Sequence, residues 1–64
     1  MYRNIEIERL RNRITKADMA NSLAVPTNVL NDWIIGRRPI PAAKLRALSQ
    51  LFGGISLDYL LQRR

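Results

Sequence analysis

The 64-residue sequence contains no cysteine and no histidine. These two absences exclude disulfide bonds, thiolate zinc sites and imidazole metal sites, so we expect a domain held together by helix packing, without a metal or another cofactor. They also remove the nucleophile and the base that small enzymes use most often, and the remaining polar residues show no catalytic spacing. We therefore do not expect an enzyme.

Long apolar runs and acidic residues are also scarce. No stretch approaches the roughly 18 apolar residues of a transmembrane helix, and charges at Arg3, Glu6 and Glu8 do not fit the apolar core of a signal peptide. We therefore expect a cytoplasmic protein with no membrane partner. Five acidic residues stand against eleven lysines and arginines, a formal net charge of +6. This excess favours a polyanionic partner.

The spacing of apolar residues predicts a single all-α domain over residues 1–64, built from five short helices. The first helix is expected from about Asn4, with Ile7, Leu10 and Ile14 on its inner face. No stretch alternates with the period that a strand requires. The remaining helices are expected at about residues 16–23, 27–35, 41–52 and 57–61.

Local signals mark several of these helix ends. Thr15 and Asp18 have the spacing of a capping box at the start of the second helix. Pro26 interrupts the pattern between the second and third helices. Gly36 suits the left-handed position after the third helix, and Ser56 can cap the fifth.

The second and third helices, with about four residues between them, have helix-turn-helix spacing over approximately residues 15–36. Burial of Leu30 and Trp33 would turn the opposite side of the third helix outward, because helical side chains share a face at spacings of three and four. That outer side is polar and almost uncharged. It contains Thr27, Asn28, Asn31 and Asp32.

These residue types suit the reading of DNA bases in the major groove. An asparagine amide can pair with adenine, a threonine offers a hydroxyl and a methyl group, and an aspartate accepts from the amino group of cytosine. Lys16 before them, and Arg37 and Arg38 after them, are placed to bind phosphates on either side. A solvated helix face is the other interpretation of the four polar residues. For Asp32, a base contact and the orientation of a neighbouring arginine both stay open.

With these residues the chain resembles the lambda-type Cro and repressor helix-turn-helix proteins of bacteria and their phages. The resemblance covers nearly the whole chain. It is carried by NIEIER at residues 4–9, TKADMA at 15–20, LNDWIIG at 30–36, IP at 40–41 and SLDYLL at 56–61.

The resemblance implies a five-helix, lambda-repressor-like domain that binds a double-stranded DNA operator as a symmetric homodimer, with its third helix in the major groove. Carried over by position, Thr27, Asn28, Asn31 and Asp32 fall where the family contacts bases, and Lys16, Arg37 and Arg38 fall at or near phosphate-contacting positions. The chain departs from the family pattern at Ala24, where glycine is common, and at Ile34, where a glutamate often pairs with the first-helix arginine. Arg9 is therefore expected to bind either a phosphate or Glu6.

The function expected from this sequence is transcriptional regulation, as a repressor of phage or prophage type. The dimer is expected to form through the last helix around Tyr59 and Leu60. A protein-interaction module of the same fold, such as an antitoxin or an accessory factor, is the alternative, with Ile35 and the apolar last helix engaging another protein. A cationic membrane-surface helix is a weaker third interpretation, because the charges are spread over several helices.

Overall fold

Residues 1–63 are described by a computed structural model, in which five helices follow one another along the chain. No strand is present in this part of the chain, which confirms the predicted all-α class. None of these helices has the length and apolar character needed to cross a membrane. The helices are α1 (Arg3–Arg11), α2 (Lys16–Ser22), α3 (Thr27–Ile35), α4 (Ala42–Leu51) and α5 (Leu57–Leu60).

The helix ends follow the predicted local signals. The Thr15 hydroxyl oxygen accepts a hydrogen bond from the backbone N–H of Asp18 at 3.1 Å, and Ser56 accepts one from Tyr59 at 3.3 Å. Each hydroxyl therefore satisfies a backbone donor that the helix itself leaves unpaired. Gly36 ends α3 with a φ of +83°, a conformation that glycine adopts without a steric cost.

Every helix contributes at least one fully buried side chain to a single hydrophobic core. Because α5 has only four residues, it depends on this core for its stability far more than on its own hydrogen bonds. Trp33 is buried in the same core, as predicted. The fully buried side chains are Ile5 from α1, Met19 from α2, Leu30 and Ile34 from α3, Leu48 from α4 and Leu60 from α5.

The predicted inner face of α1 is wrong. Ile7 and Leu10 are 38% and 64% exposed, whereas Ile5 is fully buried. One reason is that α1 ends at Arg11, so Ile14 lies beyond the helix and cannot extend its stripe. The apolar spacing of Ile7, Leu10 and Ile14 therefore spans a helix and the loop after it.

A second reason why α1 buries a different face from the predicted one is that α5 supplies hydrogen-bond partners for two buried polar residues of α1. The Asn4 amide nitrogen donates to the backbone oxygen of Tyr59 at 2.8 Å, and the Tyr59 hydroxyl donates to Glu8 Oε2 at 3.0 Å. Asn4 and Glu8 can therefore be buried without the cost of unpaired polar groups.

The same contacts bear on the predicted dimer surface. Leu60 is fully buried inside the protomer and offers nothing to a second copy. Tyr59 is half-buried and uses both its hydroxyl and its backbone oxygen to hold α1. A contact between two copies through the last helix would therefore have to use side chains other than Leu60, and the dimer stays a prediction.

We predict that shortening Ile5 and Ile7 by one methyl group has different effects on stability. Ile5→Val should lower the free energy of unfolding by about 0.5–1.5 kcal/mol, because it leaves a small void in the packed core. Ile7→Val should change it by less than about 0.5 kcal/mol, because that side chain is partly in water. Urea unfolding followed by circular dichroism measures both, and equal losses would contradict the burial described for α1.

Candidate nucleic-acid interface

The orientation of α3 follows from its buried side. Leu30, Trp33 and Ile34 point into the core. Of the four residues predicted to contact bases, Thr27 and Asn28 are exposed and Asn31 and Asp32 are half-buried. The structure therefore brings together the four residues predicted to contact bases, and we refer to them as the outer face of α3.

The connection between α2 and α3 holds the two helices at this geometry. It spans residues 23–26, which matches the expected length of about four residues, and Ala24 adopts a left-handed conformation with a φ of +57°. The backbone N–H of Val25 then donates to the oxygen of Ala20 at 3.0 Å. Ala20 itself is buried.

Sequence reasoning missed Lys44. Its ammonium donates a hydrogen bond to the backbone oxygen of Leu23 at 2.6 Å. A cation at the carboxyl end of α2 satisfies an unpaired carbonyl and opposes the negative end of the helix dipole. This contact links α4 to the turn before α3 across 21 residues of sequence. No local pattern could have revealed it.

Arg9 forms the ion pair with Glu6. Its Nε lies 2.7 Å from Glu6 Oε2 and its Nη2 3.1 Å from Oε1, while Nη1 donates to the backbone oxygen of Ile14 at 2.8 Å. Only 14% of the Arg9 side chain is exposed. The hydrogen bond to Glu6 raises the pKa of Arg9, against the opposing effect of burial. Of the two roles predicted for Arg9, the structure shows the pair with Glu6.

Lys16 lies between Glu6 and the outer face of α3. Its ammonium donates to Asn31 Oδ1 at 3.2 Å and lies 3.9 Å from Glu6 Oε1. About 40% of its side chain is exposed, so water or a phosphate can still reach it. The structure thus places Lys16 beside the predicted base-contacting residues, and adds a contact to Asn31 that we had not predicted.

The two arginines after α3 differ in their surroundings. Arg38 Nε lies 3.1 Å from Asp32 Oδ2, and the backbone N–H groups of Arg37 and Arg38 both point to the Asp32 carbonyl. The orientation of a neighbouring arginine, one of the two roles left open for Asp32, is therefore the one seen. The Arg37 side chain is exposed, and within residues 1–63 it has no hydrogen bond or ion pair.

Comparisons with protein-family models, with curated proteins and with solved structures find no match to this chain. The resemblance to the lambda-type family therefore stays a prediction. Within the described residues there is also no group of acidic side chains that could hold a metal ion.

We predict that Ala24→Gly stabilises the protein. Alanine pays a steric cost in the left-handed region that glycine avoids, so the free energy of unfolding should rise by up to about 1 kcal/mol. That gain should raise the Tm by about 4–8 °C for each kcal/mol in a domain of this size.

Ala17→Gly is the matched control for this change. Ala17 is exposed within α2, where glycine should lower the free energy of unfolding by up to about 1 kcal/mol. Thermal unfolding of both variants compares them directly. Destabilisation by Ala24→Gly of the same size as by Ala17→Gly would contradict the left-handed turn.

Proposed function

We propose that this chain is a sequence-specific DNA-binding protein that represses transcription, with a lambda-repressor-like fold and α3 in the major groove. The observation that carries the proposal is the outer face of α3, where Thr27 and Asn28 are exposed and Asn31 and Asp32 are half-buried beside cations. Lys16 contacts Asn31, Arg38 contacts Asp32, and Arg37 follows α3 with an exposed side chain.

The size of α3 suits the groove. Nine residues at about 1.5 Å each give a helix about 13 Å long, and the major groove is about 12 Å wide. Thr27 and Asp32 are five positions apart, which corresponds to about 7.5 Å along the helix axis. At about 3.4 Å per base pair, the outer face can read two or three neighbouring base pairs.

The internal ion pairs leave a surface that suits a polyanion. Three of the five acidic residues, Glu6, Glu8 and Asp32, are paired with arginines of the same chain. Their charges are therefore locally compensated, while Lys16 and Arg37 stay accessible. Cations placed beside a recognition helix would bind phosphates and supply affinity, and the outer face of α3 would supply selectivity.

Repression by a domain of this kind needs only occupancy of a promoter. We propose a homodimer on the DNA that binds an operator of two half-sites about one helical turn apart. The expected Kd is about 10⁻⁸ M at physiological salt.

A protein-interaction module of the same fold is the competing proposal, favoured by the exposure of Ile35 at the end of α3 and of Leu61 after α5. Binding to random DNA duplexes in a gel-shift assay separates the two functions. An interaction module would show only weak, salt-labile binding without an enriched sequence, whereas a repressor would select one sequence from the pool.

We predict that Asn28→Ala and Arg37→Gln weaken DNA binding in different ways. Loss of the Asn28 amide should reduce the favourable free energy of binding to the cognate duplex by about 1–3 kcal/mol, through one base position. It should leave binding to scrambled duplexes unchanged. Loss of the Arg37 charge should weaken binding to all sequences and reduce the salt slope of log Kd by about one.

Arg11→Gln is the charge-matched control, because Arg11 pairs with Glu8 on the side of α1 that faces α5. It should leave both the affinity and the salt slope close to the wild-type values. Fluorescence anisotropy with cognate and scrambled duplexes at several salt concentrations measures all three variants. Equal losses for Asn28→Ala on both duplexes would refute base reading by α3.

A further inference from the structure

The hydrogen bond between Lys16 and Asn31 determines which way the Asn31 amide points. An ammonium group has three donors and no acceptor, so only the amide oxygen of Asn31 can face it. The Oδ1 of Asn31 therefore lies toward Lys16, 3.2 Å from Nζ. Its NH₂ group is directed away from Lys16 and keeps both donors for another partner.

Lys16 is itself held in place from α1. Its Nζ lies 3.9 Å from Glu6 Oε1, and the Glu6 carboxylate is anchored by two hydrogen bonds from Arg9. Glu6, Lys16 and Asn31 belong to α1, α2 and α3 respectively. The amide is therefore oriented by a chain of contacts that joins the first three helices.

Asn28 on the same face provides an internal contrast. It is exposed, and within residues 1–63 its side chain has no hydrogen-bond partner. Its amide can rotate to offer a donor and an acceptor together, which is the pattern that adenine requires. Two asparagines on one helix thus differ in what they can present to a base.

Resting on the DNA-binding function proposed above, we propose that Lys16 is a positioning residue that makes Asn31 select guanine. Guanine presents two acceptors in the major groove, N7 and O6, whereas adenine presents one acceptor and one donor. With its oxygen held by Lys16, the Asn31 amide offers only donors to a base, which matches guanine and leaves the amino group of adenine unpaired. The operator therefore carries guanine opposite Asn31.

Selection of bound sequences from a random duplex pool tests this assignment with the wild type and three variants. Asn31→Ala identifies the base position that Asn31 reads. Lys16→Met keeps most of the side-chain length but removes the donor, so the preference for guanine over adenine at that position should fall by about tenfold or more. Lys16→Arg restores a donor-only group and should restore the preference.

The outcomes separate this inference from the function on which it depends. Lys16→Met could weaken binding to all sequences equally and leave the base preference at the Asn31 position unchanged. In that case Lys16 is only a phosphate contact and the inference is overturned, while DNA reading by α3 stands. If the wild type enriches no sequence, both proposals fail. Circular dichroism of each variant confirms that changes in preference do not arise from unfolding.

Discussion

The burial of one side of α3 is the constraint on which the rest of the structure depends. Leu30 and Ile34 are fully buried, and a side chain of this size contributes about 1.5–3 kcal/mol when it leaves water. Rotation of α3 about its axis would expose them, with Trp33, and would bury asparagine and aspartate in their place. The core therefore holds the outer face of α3 in its outward orientation, and the residues of that face need not contribute to stability.

Two carboxylates organise the cations around this face. Glu6 holds Arg9 and lies near Lys16, while Asp32 holds Arg38. Partly exposed ion pairs of this kind contribute about 0–1 kcal/mol to folding, so their importance here is geometric. They restrict where each positive group can lie before any ligand arrives, which would lower the entropy lost on binding a phosphate or a base in the proposed function.

The helices and their ends could be predicted from sequence because the signals lie within a few residues of one another. Thr15 with Asp18 and Gly36 after α3 are examples in which a short motif determines the local backbone. The inner face of α1 could not be predicted, because it depends on contacts of Asn4 and Glu8 with Tyr59, more than 50 residues away. The bond from Lys16 to Asn31 was missed for the same reason: it appears only once α2 and α3 are packed together.

The use of α5 inside the protomer changes how a dimer on DNA has to be understood. Leu60 is buried and Tyr59 holds α1, so these two residues offer little apolar surface to a second copy. Two half-sites one helical turn apart would instead bring two copies of the protein together on the DNA. At that short separation the effective concentration of one copy near the other would be in the millimolar range. At that concentration even a small contact between protomers adds to affinity. A repressor of the proposed kind would therefore need no large dimer interface of its own, because the symmetry of the operator would hold the two copies together.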